Sequence, residues 1–450
     1  MIEKKVFVAG TGISGIGACT LLKEAGVPKV ILYDGNTELN SDDIKAKLPN
    51  DMETTIVLGE IPEEMLKDTD YMVISPGISI HAPFTEQFRN ARIPIISEIE
   101  LAYRFGKGRV VGITGTNGKT TTTALTGKIM KDYFEQSYIV GNIGIPYTNV
   151  ALETTEDSVT VAEISSFQLE AVDTFHPVVS AILNVTPDHL DRHGSMECYA
   201  DTKMEITRNQ TTEEYCVLNY EDPITRDMAE RINARTFFFS SQQMLEDGIC
   251  LDGDTIVLRN DGESTAVCRT DELQLLGIHN YENVMAAVAI AISVGVPLAS
   301  IVESVKNFAG VEHRIEYVAT VNGVNYYNDS KGTNPDAAIK GIQAMNRPTY
   351  LIGGGYDKGV AFDEWIQAFD GKVVKLVLIG QTAKTIADTA EKYGFTDYVF
   401  ADTFEEACRY CAEHAQEGEA VLLSPACASW GMFKNYEQRG DMFKTFVKNL

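Results

Sequence analysis

The chain has 450 residues, 44% hydrophobic and 23% charged, with a formal net charge of −26. That composition belongs to a globular chain able to bury full cores, which excludes a fibrous or disordered class, and the length asks for roughly two to four domains. The charge repels a phosphate backbone and so argues against nucleic acid as a partner; an anionic small substrate must instead meet locally clustered Lys and Arg.

The N-terminus, Met-Ile-Glu-Lys-Lys-Val-Phe-Val-Ala-Gly, enters a strand with no signal-peptide core, and no apolar run approaches the roughly 18 residues of a membrane span. A cytoplasmic protein without membrane insertion is expected. Its eight cysteines are scattered in mostly apolar contexts, as reduced core thiols are. The one C-x-x-C, Cys408 and Cys411, has the i, i+3 spacing of a buried helix face rather than of a redox pair.

Along the chain, short apolar runs at 4–9, 30–33, 71–74, 109–114, 159–164, 178–185, 349–352, 376–379 and 420–423 alternate with helical segments. This pattern predicts an α/β fold of mostly parallel sheets with crossover helices, whose ligands bind in crevices at the C-terminal strand ends. Breaks near 97 and 310 divide it into three parts, 1–97, 98–310 and 311–450.

The first part opens with Gly10-Thr11-Gly12-Ile13-Ser14-Gly15 between a strand and a helix, and its second strand ends at Asp34, a dinucleotide-binding fingerprint. It says that a nucleotide's phosphates lie at a helix N-terminus without saying which nucleotide. Ser75-Pro76-Gly77-Ile78, after the 71–74 strand, lines the same crevice. Alone, this part suggests an NAD-dependent oxidoreductase.

The second part carries Arg109-Val110-Val111-Gly112-Ile113-Thr114-Gly115-Thr116-Asn117-Gly118-Lys119-Thr120, an apolar strand running through a glycine turn into a Thr-rich helix. It reads as a nucleoside triphosphate cradle: glycines let backbone N–H groups turn inward, Lys119 reaches the β/γ-phosphates and Thr120 serves Mg²⁺. The loop departs from G-x-x-x-x-G-K-[ST], since Ile113 stands where the first glycine is expected. Glu163 ends the next buried strand, and Asn184-Val185-Thr186-Pro187-Asp188-His189-Leu190-Asp191-Arg192-His193 follows another. Carboxylate and imidazole beside a phosphate loop suit divalent cations that bridge ATP to a second substrate. A triphosphate site beside a second nucleotide site fits a ligase acting on a nucleotide-linked substrate better than hydride transfer.

Taken together, the 114–120 loop, Gly141-Asn142-Ile143-Gly144, the 163–170 segment Glu-Ile-Ser-Ser-Phe-Gln-Leu-Glu, the 184–191 segment, Asn328-Asp329-Ser330-Lys331 and the 423–440 stretch resemble the Mur ligase family over essentially the whole chain. The resemblance implies a Rossmann-like UDP-binding domain, a central ATPase and a C-terminal dinucleotide-fold domain that brings the amino acid. It implies ATP-dependent addition of D-glutamate to UDP-N-acetylmuramoyl-L-alanine through an acyl phosphate, in cytoplasmic peptidoglycan precursor synthesis, by a monomer. By motif it assigns Gly115, Thr116, Asn117, Gly118, Lys119, Thr120, Thr121, Asn280, Arg314, Asp329 and Lys331 to ATP. Thr120 and Glu163 would hold one Mg²⁺, and His189 with Lys203, the lysine as a carbamate, a second. Ser14, Asp34, Ser75, Gly77, Asn142 and Ser165 fall to the UDP-sugar, and Thr333, Lys358, Ser429 and Tyr436 to D-glutamate. Gly35-Asn36 stands where some members place Thr-Arg against the uracil.

The chemistry accounts for these residue types independently. A carboxylate must be converted by ATP to an acyl phosphate before an amine attacks it, and bringing these anions together needs Mg²⁺ and Lys rather than a protein nucleophile. A sister ligase adding L-alanine, a diamino acid or a folate glutamate, and the oxidoreductase, are the alternatives; the Asp-Asn-Pro-Arg motif of the diamino-acid-adding member is missing from the sequence.

Overall fold

The computed structural model describes residues 5–49, 53–67, 69–142 and 144–450. Lys4, at the start of the first expected strand, and Ile143, within the Gly-Asn-Ile-Gly motif, lie outside them. Among the described residues three sheets follow one another in the chain.

The first holds β1 (Lys5–Ala9), β2 (Lys29–Asp34), β3 (Thr54–Leu58), β4 (Tyr71–Ile74) and β5 (Ile95–Ser97) in the order β3-β2-β1-β4-β5, all parallel. Alternate residues serve opposite faces: Val6, Val8, Val30 and Leu32 enter one core, Phe7, Ala9, Ile31 and Tyr33 another. Burial on both faces is why these strands read as continuous apolar runs, each buried aliphatic contributing about 1.5–3 kcal/mol.

The second sheet contains β6 (Arg109–Thr114), β7 (Ser137–Gly141), β8 (Val159–Glu163), β9 (Val179–Ile182), β10 (Tyr215–Asn219), β11 (Arg235–Ser240), β12 (Gly248–Asp252), β13 (Thr255–Asn260) and β14 (Glu263–Arg269). Its order is β14-β13-β12-β11-β10-β9-β6-β8-β7, parallel from β7 to β12, with β13 turning back antiparallel. The third is β15 (Glu316–Val321), β16 (Val324–Asn328), β17 (Thr349–Gly355), β18 (Val373–Gly380), β19 (Tyr398–Phe400) and β20 (Ala420–Leu423), ordered β15-β16-β20-β17-β18-β19, parallel except for the β15–β16 hairpin.

Contacts group the chain into two compact units, Met1–Val267 with Asn283–Ser304, and Cys268–Glu282 with Val305–Leu450. The parallel expectation holds, with the antiparallel strands β13 and β15 as additions. Cys408 and Cys411 lie buried on the helix Phe404–His414, where desolvation pushes the Cys408 thiol up to about 12 and raises that of Cys411 well above the ordinary thiol value. No helix among the described residues is long and apolar enough to cross a membrane.

Candidate active site

In the first unit, strand order reverses at β1/β4 and at β6/β9, and each reversal opens a crevice at the C-terminal strand ends. The first crevice is a cleft of about 530 Å³ lined by Gly10–Ser14, Tyr33, Asp34, Gly35, Ser75–Ile78 and Phe84. The backbone at Gly10 has φ +107°, and a Cβ there would lie 2.5 Å from Ser75 Oγ, so only glycine fits. Asp34 braces the loop: its Oδ2 accepts from the Thr11 hydroxyl (2.7 Å) and N–H (3.3 Å), and its Oδ1 from Asn36 N–H (3.1 Å). Ser75 Oγ is buried and has no hydrogen-bond partner, and Ile13 is 78% exposed on the cleft wall. A bare hydroxyl beside an uncovered aliphatic is what a cleft shaped for a ligand leaves behind. Ile13, Tyr33 and Phe84 carried no sequence signal, because apolar residues next to a glycine loop look like ordinary core.

The second crevice gathers the phosphate-loop residues. Helix Lys119–Tyr133 starts directly after Gly118, which has φ +84° and no side chain to cap the first-turn N–H groups. A Cβ on Gly118 would come within 2.2 Å of Asn283 Oδ1. Thr116 N–H donates to Asn184 O (2.9 Å) and Asn117 N–H to Asn184 Oδ1 (2.8 Å), which ties the cradle to the segment after β9. The Lys119 ammonium donates to Gly115 O (2.8 Å) and Thr116 O (2.9 Å), folded back over the loop.

Glu163 lies opposite Ile113 in the β6–β8 register and is 1% exposed. Its Oε1 accepts from Asn142 Nδ2 (2.9 Å), while Oε2 has no partner. A buried carboxylate oxygen without a donor is costly. A hard divalent cation satisfies it, so the donor set fits Mg²⁺, with the Thr120 hydroxyl in the first turn of the helix Lys119–Tyr133. Ser165 begins the next short helix in a capping box with Gln168, and its hydroxyl bonds Gln168 Oε1 (3.0 Å).

His189 follows β9 in a left-handed conformation, φ +51°, exposed, its ring 4.8 Å from that of Phe167. Lys203 is no surface lysine: it is 1% exposed, its ammonium donates to Gly115 O (2.9 Å) and rests 4.4 Å from the Tyr199 ring. Two ammonium groups thus share one carbonyl. Burial first, and the Lys119 charge second, pull the Lys203 amine down to about 7. Arg192, three residues after His189, bonds Glu170, Pro76 O and Ile78 O, partners that its own stretch of sequence does not reveal.

The second unit places its residues around the ends of β16, β17 and β20. Asp329 is buried; its Oδ2 accepts from the Ser424 hydroxyl (2.6 Å) and its Oδ1 from Ile315 N–H (3.3 Å), and desolvation raises its carboxyl to about 7. Arg314 stands exposed between His313 (φ +64°) and Ile315 (φ +46°), a β-branched residue in a strained conformation. Asn280 is buried and donates to Leu276 O (2.8 Å). Lys331 N–H donates to His313 O (3.0 Å) and Thr333 N–H to Lys331 O (2.9 Å), with the Lys331 ammonium 5.8 Å from the Tyr436 ring. Lys358 lies over the Trp430 ring at 4.8 Å, Trp430 packs edge-on to Tyr356, and Ser429 is buried beside them in sequence. Sequence reasoning gave Arg439 no role, yet this fully buried guanidinium bonds Ser330 Oγ (2.9 Å), Ser330 O (2.8 Å) and Cys427 O (3.2 Å), joining the turns after β16 and β20 to the last helix.

Three family descriptions match the chain: Mur ligase MurD-like N-terminal domain over residues 4–97, Mur ligase middle domain over 113–291, and Mur ligase glutamate ligase domain over 313–427. The UDP-N-acetylmuramoylalanine–D-glutamate ligase of Lachnoclostridium phytofermentans is 54% identical over 449 residues, covering 100% of this chain and 99% of that protein. Its counterpart in Lachnospira eligens is 55% identical over 448 residues, with 100% and 99% covered. Two solved structures share the fold: Thermotoga maritima UDP-N-acetylmuramate–alanine ligase MurC (TM-score 0.58, 21% identity, 99% of each chain) and Acinetobacter baumannii MurF (TM-score 0.59, 18% identity, 94% of this chain and 90% of that one). With family descriptions matching across all three sheets and relatives more than half identical over the whole chain, the chain belongs to the Mur ligase family.

Proposed function

We propose that this chain is an ATP-dependent amide ligase that adds D-glutamate to UDP-N-acetylmuramoyl-L-alanine through an acyl phosphate, with release of ADP and phosphate. The observation that carries the reading is that Lys119 and Lys203 both donate to Gly115 O while Glu163 ends the neighbouring strand opposite Ile113, in a chain more than half identical to relatives named for that reaction.

The phosphate loop and Lys119 hold the triphosphate, and Glu163 with Thr120 would hold one Mg²⁺. A second ion would sit at His189 and Lys203. Bound Mg²⁺ supplies charge neutralisation that lets the substrate carboxylate approach the γ-phosphate. Lys203 enters as a carbamate: an amine lowered to about 7 is neutral often enough near neutral pH for its lone pair to form an N–C bond to CO₂, the nitrogen giving up one proton to solvent, and the resulting anion offers oxygen donors where an ammonium would repel a cation. The β1/β4 cleft takes the UDP-sugar through Ser14, Asp34, Ser75 and Gly77, with Asn142 and Ser165 toward the reacting end. In the second unit Asn280, Arg314, Asp329 and Lys331 serve the nucleotide, while Thr333, Lys358, Ser429 and Tyr436 hold D-glutamate so that its amine attacks the acyl phosphate. The functional divisions are 1–97, 98–310 and 311–450, and the enzyme acts as a cytoplasmic monomer.

Phosphate release from ATP, measured with UDP-N-acetylmuramoyl-L-alanine and, separately, D-glutamate, L-glutamate, L-lysine or diaminopimelate, tests the reading. Turnover is expected with D-glutamate alone; turnover with another amino acid and not with D-glutamate would refute it. NADH fluorescence should show no saturable change on titration with the protein.

A further inference from the structure

Arg192 reaches out of its own segment. Its Nη1 donates to Pro76 O (2.7 Å) and its Nη2 to Ile78 O (3.0 Å), both on the wall of the β1/β4 cleft. The same guanidinium pairs with Glu170 through Nε–Oε1 (2.9 Å) and Nη2–Oε2 (2.5 Å) and lies 4.0 Å over the Phe167 ring. It is mostly buried, with 13% of its side chain exposed. One rigid fork thus holds three pieces: the Ser75–Ile78 loop, the segment after β8, and its own segment, which carries His189. The loop has few other ties, Ser75 N–H to Ala9 O and Ile78 N–H to Ser75 O. Where Ser75 Oγ and Gly77 face the cleft therefore depends on the carbonyls either side of Gly77 being fixed from outside.

We propose that Arg192 is a positioning residue for the nucleotide-sugar cleft, fixing the Ser75–Ile78 loop from the His189 segment so that the cleft is preformed for the UDP-linked substrate. This rests on the substrate reading above. A planar guanidinium can serve two carbonyls and a carboxylate at once, which a lysine ammonium, a point donor on a flexible stem, cannot do in the same geometry.

The test compares wild type, Arg192→Lys, Arg192→Met and Glu170→Gln by steady-state kinetics and by calorimetric binding of UDP-N-acetylmuramoyl-L-alanine without ATP. Loss of two charge-assisted bonds should weaken that binding and raise its KM by about ten- to a hundredfold in Arg192→Met and less in Arg192→Lys, with kcat and the KM for D-glutamate within about twofold of wild type. Glu170→Gln, which leaves the bonds to Pro76 and Ile78 in place, should show a smaller loss on the same parameter and covers the case in which an Arg192 variant does not fold. A plain structural staple would lower Tm without singling out this ligand. Unchanged affinity in folded Arg192→Lys and Arg192→Met, or a loss spread equally over ATP and D-glutamate, overturns the proposal; failure of the wild type to bind this nucleotide-sugar would instead overturn the substrate reading.

Discussion

Lys203 should weaken the fold that its activity requires. Its amine falls from the ordinary 10.5 to about 7, first through burial and then through the Lys119 charge. At about 1.4 kcal/mol per pH unit, holding it protonated in the folded chain costs roughly 5 kcal/mol relative to the unfolded one. The folded value lies below the unfolded one, so the penalty is complete below pH 7, where both states carry the proton. From pH 7 to 10.5 the unfolded chain binds a proton that the folded chain does not, and stability rises with pH; above 10.5 the penalty is gone.

Lys203→Met fills the same space without the charge. After allowing about 1–2 kcal/mol for the lost bond to Gly115 O and the contact with the Tyr199 ring, the variant should be more stable than wild type by about 3 kcal/mol at pH 6 in CO₂-free buffer, and this advantage should largely vanish by pH 9. Both tryptophans, Trp365 and Trp430, belong to the second unit, so tryptophan fluorescence would report the wrong half. Calorimetry or far-UV circular dichroism of the melt is the suitable assay. Ligase activity should be lost in the same variant and partly restored by added short carboxylic acids. A variant less stable than wild type at pH 6, or an advantage that does not shrink by pH 9, would refute the reasoning.

Lys119→Ala should keep the fold and lower kcat by about 10³ or more, as when a principal electrostatic stabiliser is removed, checked by phosphate release. Lys358→Ala should act mainly on the KM for D-glutamate; and because the Lys358 ammonium lies 4.8 Å from the Trp430 ring, D-glutamate should change tryptophan fluorescence saturably in wild type but not in Trp430→Phe. Gly118→Ala should abolish ATP binding, since its Cβ meets Asn283 Oδ1 at 2.2 Å and its φ is +84°, measured by nucleotide titration. Of the eight cysteines only Cys198 is exposed, so a thiol reagent should find one fast site in the native protein.

What the sequence made legible follows from how local each signal is. Parallel strands buried on both faces are continuous apolar runs, which is why β1, β4, β6, β8 and β20 stood out, and a glycine loop before a helix declares a phosphate cradle from a dozen residues. Strands β12 to β14 did not stand out: β14 is exposed at Glu263 through Ala266, so its residues look like a polar loop until pairing gives them a register. Burial that depends on distant partners is equally hidden. By composition Lys203 sits on a helix of nearly even polarity, Met196–Met204, and nothing within that helix tells that Gly115, far earlier in the chain, receives its ammonium. Arg192 is the same case, since its four oxygen partners come from residues 76, 78 and 170.

The residues that local reading missed share a property that the chemistry explains. A reactive centre needs charge held out of water, and a charge held out of water needs partners from several segments, because no single strand or helix can supply donors on every side. Arg192 and Arg439 each gather carbonyls or carboxylates from separate turns, Lys203 takes its one carbonyl from a loop 88 residues earlier, and each would be expensive to bury alone. Ordinary side chains in a parallel sheet are specified by their own neighbours in sequence. The groups that orient substrate or metal are specified by topology, so they become visible only when β9, β6 and β8 are brought side by side in one sheet and β1 beside β4 in another.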